Sequence, residues 1–265
     1  MSTSTSYNNV LAKITIANVE HHFAAASASI SISPKLEENK NLSLAPNQNF
    51  KIGGNLDTKI SLNFFAAKSV NFTAAEQVLS VLTGVDNGTI QIGEANFDNC
   101  YLENLSVEIA PFMPVIMSAD FICLSTANQP TLIQSSPLSL MPESGICYGH
   151  NVVTADGFSL TNTKESISYK VSCNRTPVYT IGSVESTSCF LDSVSKEISI
   201  KSDNIKQFVN YASYGDVVSA TLTTEDSQSL PAISFSSNSK IVSQNLSINA
   251  GDVLGGQVTL REIIL

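Results

Sequence analysis

Ser29-Ile30-Ser31-Ile32-Ser33 alternates polar and apolar side chains without a break, and Lys59-Ile60-Ser61-Leu62-Asn63-Phe64 does the same. The pattern returns in Ser166-Ile167-Ser168-Tyr169-Lys170-Val171-Ser172 and again where Val218, Ala220 and Leu222 alternate with Ser219, Thr221 and Thr223. Successive strand side chains point to opposite faces, so each segment offers one apolar and one polar face. Wound into a helix, the same spacing would scatter its apolar groups around the axis. Several such segments predict a mainly β chain of sandwich or barrel type.

Helical spacing is confined to short stretches. Thr73 and Glu76 form a capping box ahead of Val78, Leu79 and Leu82, and Gly84 suits the residue that ends a helix, so a helix is predicted over 73–84. A weaker one is predicted over 203–211, where Ile205, Phe208 and Val209 share a face. Asp86-Asn87-Gly88 reads as a turn, the Asn-rich tract 34–50 as a long loop, and the Ser/Thr/Gln/Pro tract around 125–139 as a linker.

Charge narrows the function classes. Only 14% of residues are charged, and the net charge is −9. Gripping nucleic acid through phosphates needs clustered Lys and Arg. The nearest approach to such a cluster, Lys196, Lys201 and Lys206, is interrupted by Glu197 and Asp203. Low charge with Ser, Thr and Asn in its place suits β faces that meet other protein. Met1 to Asn9 is polar, so no signal peptide is expected, and no apolar run of about 18 residues predicts a membrane span.

Neither catalytic, cofactor-binding nor metal residues are predicted. His21 and His22 are adjacent, so on a strand their rings diverge. Cys147 and His150 lack a second zinc-spaced pair, and Gly255-Gly256 lacks the Lys of a phosphate loop. The five cysteines, Cys100, Cys123, Cys147, Cys173 and Cys189, are odd in number and without C-x-x-C spacing. They are expected to be reduced thiols in a protein made in the cytosol, with no disulfide, and Cys173 to pack as a small hydrophobe.

A self-match organises the chain. Residues 104–124 align without gaps to 245–265, with Asn104/Asn245, Leu105/Leu246, Ser106/Ser247, Ile122/Ile263 and Leu124/Leu265 identical. A weaker echo pairs Leu105-Ser106-Val107-Glu108-Ile109 with Ile167-Ser168-Tyr169-Lys170-Val171. Two tandem β domains are expected, 1–124 and 140–265, joined by the linker 125–139 and each with at most one short flanking helix.

Two stretches carry a resemblance. One runs Gln91-Ile92-Gly93, then Phe97-Asp98-Asn99-Cys100-Tyr101-Leu102-Glu103-Asn104-Leu105-Ser106-Val107, then Pro111-Phe112-Met113-Pro114-Val115 and Ala119-Asp120-Phe121-Ile122-Cys123. The other runs from Glu165 through Val171 to Asn174-Arg175-Thr176-Pro177-Val178-Tyr179-Thr180-Ile181-Gly182. Both resemble segments of tailed-bacteriophage virion proteins with the tail-tube fold. The resemblance implies a non-enzymatic structural protein that self-associates into hexameric rings, stacks, and encloses a channel. DNA would be passive cargo there, the other partners would be phage structural proteins, and no membrane or cofactor is involved. It implies a place in the virion after assembly in the host cytoplasm. A decoration, baseplate or neck protein with β-sandwich domains is the alternative, and a carbohydrate-binding sandwich is disfavoured by the absence of Trp.

Overall fold

The computed structural model describes residues 10–16, 19–39, 49–65, 87–92, 95–124, 148–149, 152–156, 164–181, 186–202, 220–224, 233–234, 240–247 and 255–264. The chain is mainly β. Strands β1 (Val10–Ile16), β2 (Val19–Asn39), β3 (Asn49–Phe65), β4 (Gly88–Ile92), β5 (Ala95–Ile109) and β6 (Ile116–Cys123) come first. After them come β7 (Val152–Asp156), β8 (Lys164–Tyr179), β9 (Ser186–Ser202), β10 (Ala220–Thr224), β11 (Ile233–Ser234), β12 (Lys240–Ser247) and β13 (Gly255–Ile264). Every pairing between them is antiparallel.

The first six strands close on themselves. β1 pairs with β2, β2 with β3, β3 with β6, β6 with β5, β5 with β4, and β4 with β1. Closure of this kind removes the sheet edge wherever the ladders meet, while Asn104–Ile109 of β5 keeps a second side that β8 pairs with. Two long strands turn its corners. β2 leaves β1 at Ala25 and takes up β3 through a register shift between Ala25 and Ser27. β5 pairs with β4 through its first residues and with β6 from Cys100 onward, with shifts near Asn99 and at Glu103. Asn99 has a φ of 51°, a left-handed conformation that Asn tolerates better than most residues. Such bulges bend strands at sandwich and barrel corners.

The inward residues are those of the period-two pattern. Ile60, Leu62 and Phe64 of β3 are buried while Lys59 and Asn63 are exposed. They meet Ala12 and Ile14 of β1, Ile90 and Ile92 of β4, Phe97, Leu102 and Leu105 of β5, and Met117, Ala119 and Phe121 of β6. Burying each of these Ile, Leu, Phe and Met side chains stabilises by about 1.5–3 kcal/mol. The outward polar residues bond across strands: Asn63 donates to Ser27 Oγ at 2.9 Å, Ser118 donates to Asn63 Oδ1 at 2.6 Å, and Ser61 donates to Asp120 at 2.6 Å.

The rest of the large sheet grows from the C-terminal part of β5. Residues 104–108 pair on one side with β6, and 104–109 pair on the other with Ile167–Ser172 of β8, which leads to β9, β13 and β12. β7, β10 and β11 form a separate small sheet. Ile167, Tyr169, Val171, Ile198, Ile200, Val258 and Leu260 belong to the same buried cluster as the six-stranded unit. Strands from 1–124 and from 140–265 therefore share one sheet and one core.

Both self-matched segments fold as antiparallel pairs, β5–β6 and β12–β13, but in different registers. Asn104 faces Asp120, whereas its counterpart Asn245 faces Gln257, and Arg261, the counterpart of Asp120, faces Lys240. The weaker echo has a direct physical outcome: Leu105, Val107 and Ile109 pair with Val171, Tyr169 and Ile167. The expected loop at 34–50 is corrected in part, because Pro34 and 36–39 of β2 pair with Leu56 and 49–52 of β3. A polar tract extends as strand when its neighbour supplies the ladder. The predicted helices over 73–84 and 203–211 and the linker 125–139 lie outside the described residues.

Candidate assembly surface

Among the described residues no group of three or more His, Cys, Asp or Glu side chains is gathered as a metal site would require. His21 and His22 lie on β2 opposite Ile14 and Lys13. Gly255 and Gly256 start β13, in the ladder opposite Ser247 and Leu246. Cys147, His150 and Lys206 lie outside the described residues. Among the described residues no helix is long and apolar enough to cross a membrane.

The cysteines overturn the expectation of no disulfide. Cys100 and Cys123 face each other across β5 and β6 and are joined as a disulfide. The flanking bond from Leu124 N–H to Asn99 C=O, 3.1 Å, makes Cys100/Cys123 the neighbouring, non-hydrogen-bonded pair, where side chains approach most closely. Sequence spacing alone could not reveal it, because the pairing depends on the register of two bulged strands. Cys173 and Cys189 are free and buried. Burial pushes both thiols above the usual range, although Arg175 pulls each of them down. Cys173 thus packs as a small hydrophobe, as expected. Tyr169 is shifted upward too, first by burial and then by the charge of Glu262.

Among the described residues, exposed large apolar side chains gather at two places, and Val242 of β12 is exposed apart from them. The first is the turn between β5 and β6. Phe112 is 80% exposed and Met113 59%, and Ile116 beside them is exposed as well. The turn is held rather than loose. Met113 N–H donates to Ala110 C=O at 3.2 Å, Gly149 N–H donates to Met113 C=O at 2.9 Å, and Pro114 bridges to Tyr148. Gly149 lies so close to Ala110 C=O that a Cβ there would collide with it. Phe112 has a φ of 60°, an uncommon conformation for a bulky residue and a kind of strain that recurs at functional positions.

The second place is the arm formed by the end of β8 and the start of β9, where Tyr179, Ile181 and Phe190 are exposed. The arm is latched to the outer wall. Arg175 Nε donates to Leu102 C=O at 2.9 Å, next to the Glu103 bulge, and its guanidinium sits 5.3 Å from the Tyr101 ring centre. Cys189 packs with Tyr101, Ile122 and Leu124. Across the root of the arm, Thr176 donates to Asp192 at 2.6 Å. Sequence reasoning placed these apolar residues inside strand motifs and did not single them out. The signal available was the charge-free run of two prolines around Phe112 and Met113.

No protein-family model matches this chain, and no curated protein is significantly similar to it.

Proposed function

We propose that this chain is a non-enzymatic structural protein of a bacteriophage virion, a ring-forming tail-tube protein whose assembled rings enclose a channel for DNA. The observation that carries the reading is a mainly antiparallel β fold with a closed six-stranded unit and two apolar, exposed surfaces. Large exposed apolar groups on an otherwise closed β structure mark contact with other protein. The two stretches that resemble tail-tube proteins form β4, β5, β6 and β8, the strands that join the two halves of the large sheet. In this reading, 1–124 and 140–265 are tandem tail-tube-type domains fused edge to edge at β5 and β8. The net charge of −9 fits a conduit through which DNA slides without being gripped. Assembly would take place in the reducing host cytoplasm, and the Cys100–Cys123 bond would form after release.

Native mass spectrometry with negative-stain microscopy tests this. Rings or tubes of the purified chain support it. Monomers or trimers at all concentrations would instead favour a decoration, baseplate or neck protein.

A further inference from the structure

We infer that the Cys100–Cys123 pair is a reversible redox switch between two folded states, and that Thr58 is the hydrogen-bond partner of the Cys123 thiol in the reduced one. The inference goes beyond the assembly reading and does not depend on it.

It begins with a hydroxyl that the disulfide form leaves stranded. Thr58 is 1% exposed, and its Oγ1 is buried with no hydrogen-bond partner. A buried hydroxyl without a partner is costly, and such groups are rare in folded proteins. The register puts a sulfur beside it. Thr58 faces Cys123, Cys123 faces Cys100, and Cys100 faces Gly88, in one row across β3, β6, β5 and β4. Thr58 continues the buried series Ile60, Leu62 and Phe64, and Cys123 continues Met117, Ala119 and Phe121, so both side chains point into the core. Directly opposed Cβ atoms are about 4.5–5.5 Å apart. In the disulfide the Cys123 sulfur is drawn toward β5 and away from that hydroxyl.

The other sulfur has polar neighbours of its own. Cys100 Sγ lies 3.3 Å from Phe97 C=O and 3.8 Å from Asp98 C=O. A disulfide sulfur has no hydrogen to give them, whereas a thiol has one. Once the S–S bond is broken the two sulfurs must move apart. Cys100 S–H then donates to Phe97 C=O. Cys123 Sγ turns about its Cα–Cβ bond toward β3, where Thr58 O–H donates to it. Sulfur hydrogen bonds are weak, but this one ends the isolation of a buried hydroxyl.

A small thiol serves as the reductant. One glutathione thiolate attacks a sulfur of the pair and breaks the S–S bond, and a second attacks the resulting mixed disulfide. The pair gains two electrons and two protons, and the two glutathiones leave as glutathione disulfide. Both cysteines are 0% exposed, so exchange waits for the end of β6 to open at the bond from Leu124 to Asn99. Polar contacts hold this corner in a reducing compartment, and a covalent bond holds it in an oxidising one.

The test uses full-length Thr58→Val, which keeps the shape and removes the hydroxyl. Wild type and variant are equilibrated in glutathione buffers of graded ratio, starting from both the oxidised and the reduced protein. Cys100 and Cys123 are then scored by alkylation and peptide mass. The variant should favour the disulfide by on the order of tenfold over the wild type, because it loses a stranded hydroxyl in one state and a hydrogen bond in the other. The oxidised variant should melt above the oxidised wild type, and the reduced variant should not melt above the reduced wild type. Thr58→Ser keeps the hydroxyl and should keep the wild-type equilibrium, whereas Thr58→Ala should shift it as Val does. That Ser and Ala pair carries the test if Thr58→Val does not fold, since the lost methyl weighs on both redox states alike. An equilibrium that stays put or moves toward the thiols overturns the role of Thr58, and so do equal melting shifts in both states. A wild type that keeps one redox state at every ratio, or whose reduced form is unfolded, overturns the switch.

Discussion

Cys100 and Cys123 close a loop across a sequence separation of 23. Constraining the unfolded chain in this way stabilises by about 3 kcal/mol. The oxidised protein should therefore melt several degrees above the same protein in dithiothreitol, and its intact mass should rise by the two hydrogens of one disulfide on reduction. Equal melting curves would show that the bond does not form. The free thiols give a second prediction. The thiols of Cys173 and Cys189 and the Tyr169 hydroxyl all have folded pKa values raised by burial. A group raised in the folded state contributes stability below its unfolded pKa and loses it as pH rises toward the folded value. Stability should hold from neutral pH to about 8.5, the ordinary thiol range, and then fall as the unfolded chain ionises first. A stability curve that rises with pH above 9 would contradict this.

At the scale of elements, β5 is the strand on which the others depend. Glu103 is its extra residue, and because of it Leu102 and Leu105, three apart, both face the core. Deleting Glu103 should force either Leu102 or the set Leu105, Val107 and Ile109 onto the outer face, since a one-residue slip reverses a strand. We expect loss of cooperative melting, whereas Glu103→Ala should cost less than about 1 kcal/mol, because its ion pair with Lys59 is exposed and 3.4 Å long. Calorimetry of the two variants separates backbone register from side-chain charge. Phe97→Ala, in the core, should cost about 3–5 kcal/mol. Much of this layout is legible in the sequence. Ile60, Leu62 and Phe64, and Ile167, Tyr169 and Val171, are buried as their alternation demands. The bulge is not legible, because Leu102-Glu103-Asn104-Leu105 merely interrupts a pattern and its repair lies in the partner strand. Nor is the disulfide, which depends on that register. The strand character of Pro34 and 36–39 comes from pairing with β3 and not from local preference. Of the candidate surface, only the charge-free composition of 109–117 could be read. Exposure of Phe112 and Ile181 is a tertiary property.

For the molecule as a whole, one buried cluster runs from Ala12 to Leu260. Two halves joined by a shared ladder and core should unfold together, so calorimetry should show a single transition. Two separated transitions would mean that the halves stand as independent units. The charge predicts no retention of duplex DNA at physiological salt in a gel-shift measurement, and micromolar affinity falling steeply with salt would contradict the passive channel. The edge shared by β5 and β8 also has a consequence for the order in which the protein is made. Translation delivers β1 to β6 complete by Cys123, so the closed unit can form on the ribosome before β8 exists. Until then Asn104–Ile109 of β5 shows bare backbone donors and acceptors on one side, the kind of edge that recruits foreign strands. At elongation rates of about 5–20 residues per second, β8 follows within seconds to about ten seconds. Slowing the ribosome between the codons for 124 and 164 should therefore increase aggregation of the nascent chain without changing a single amino acid.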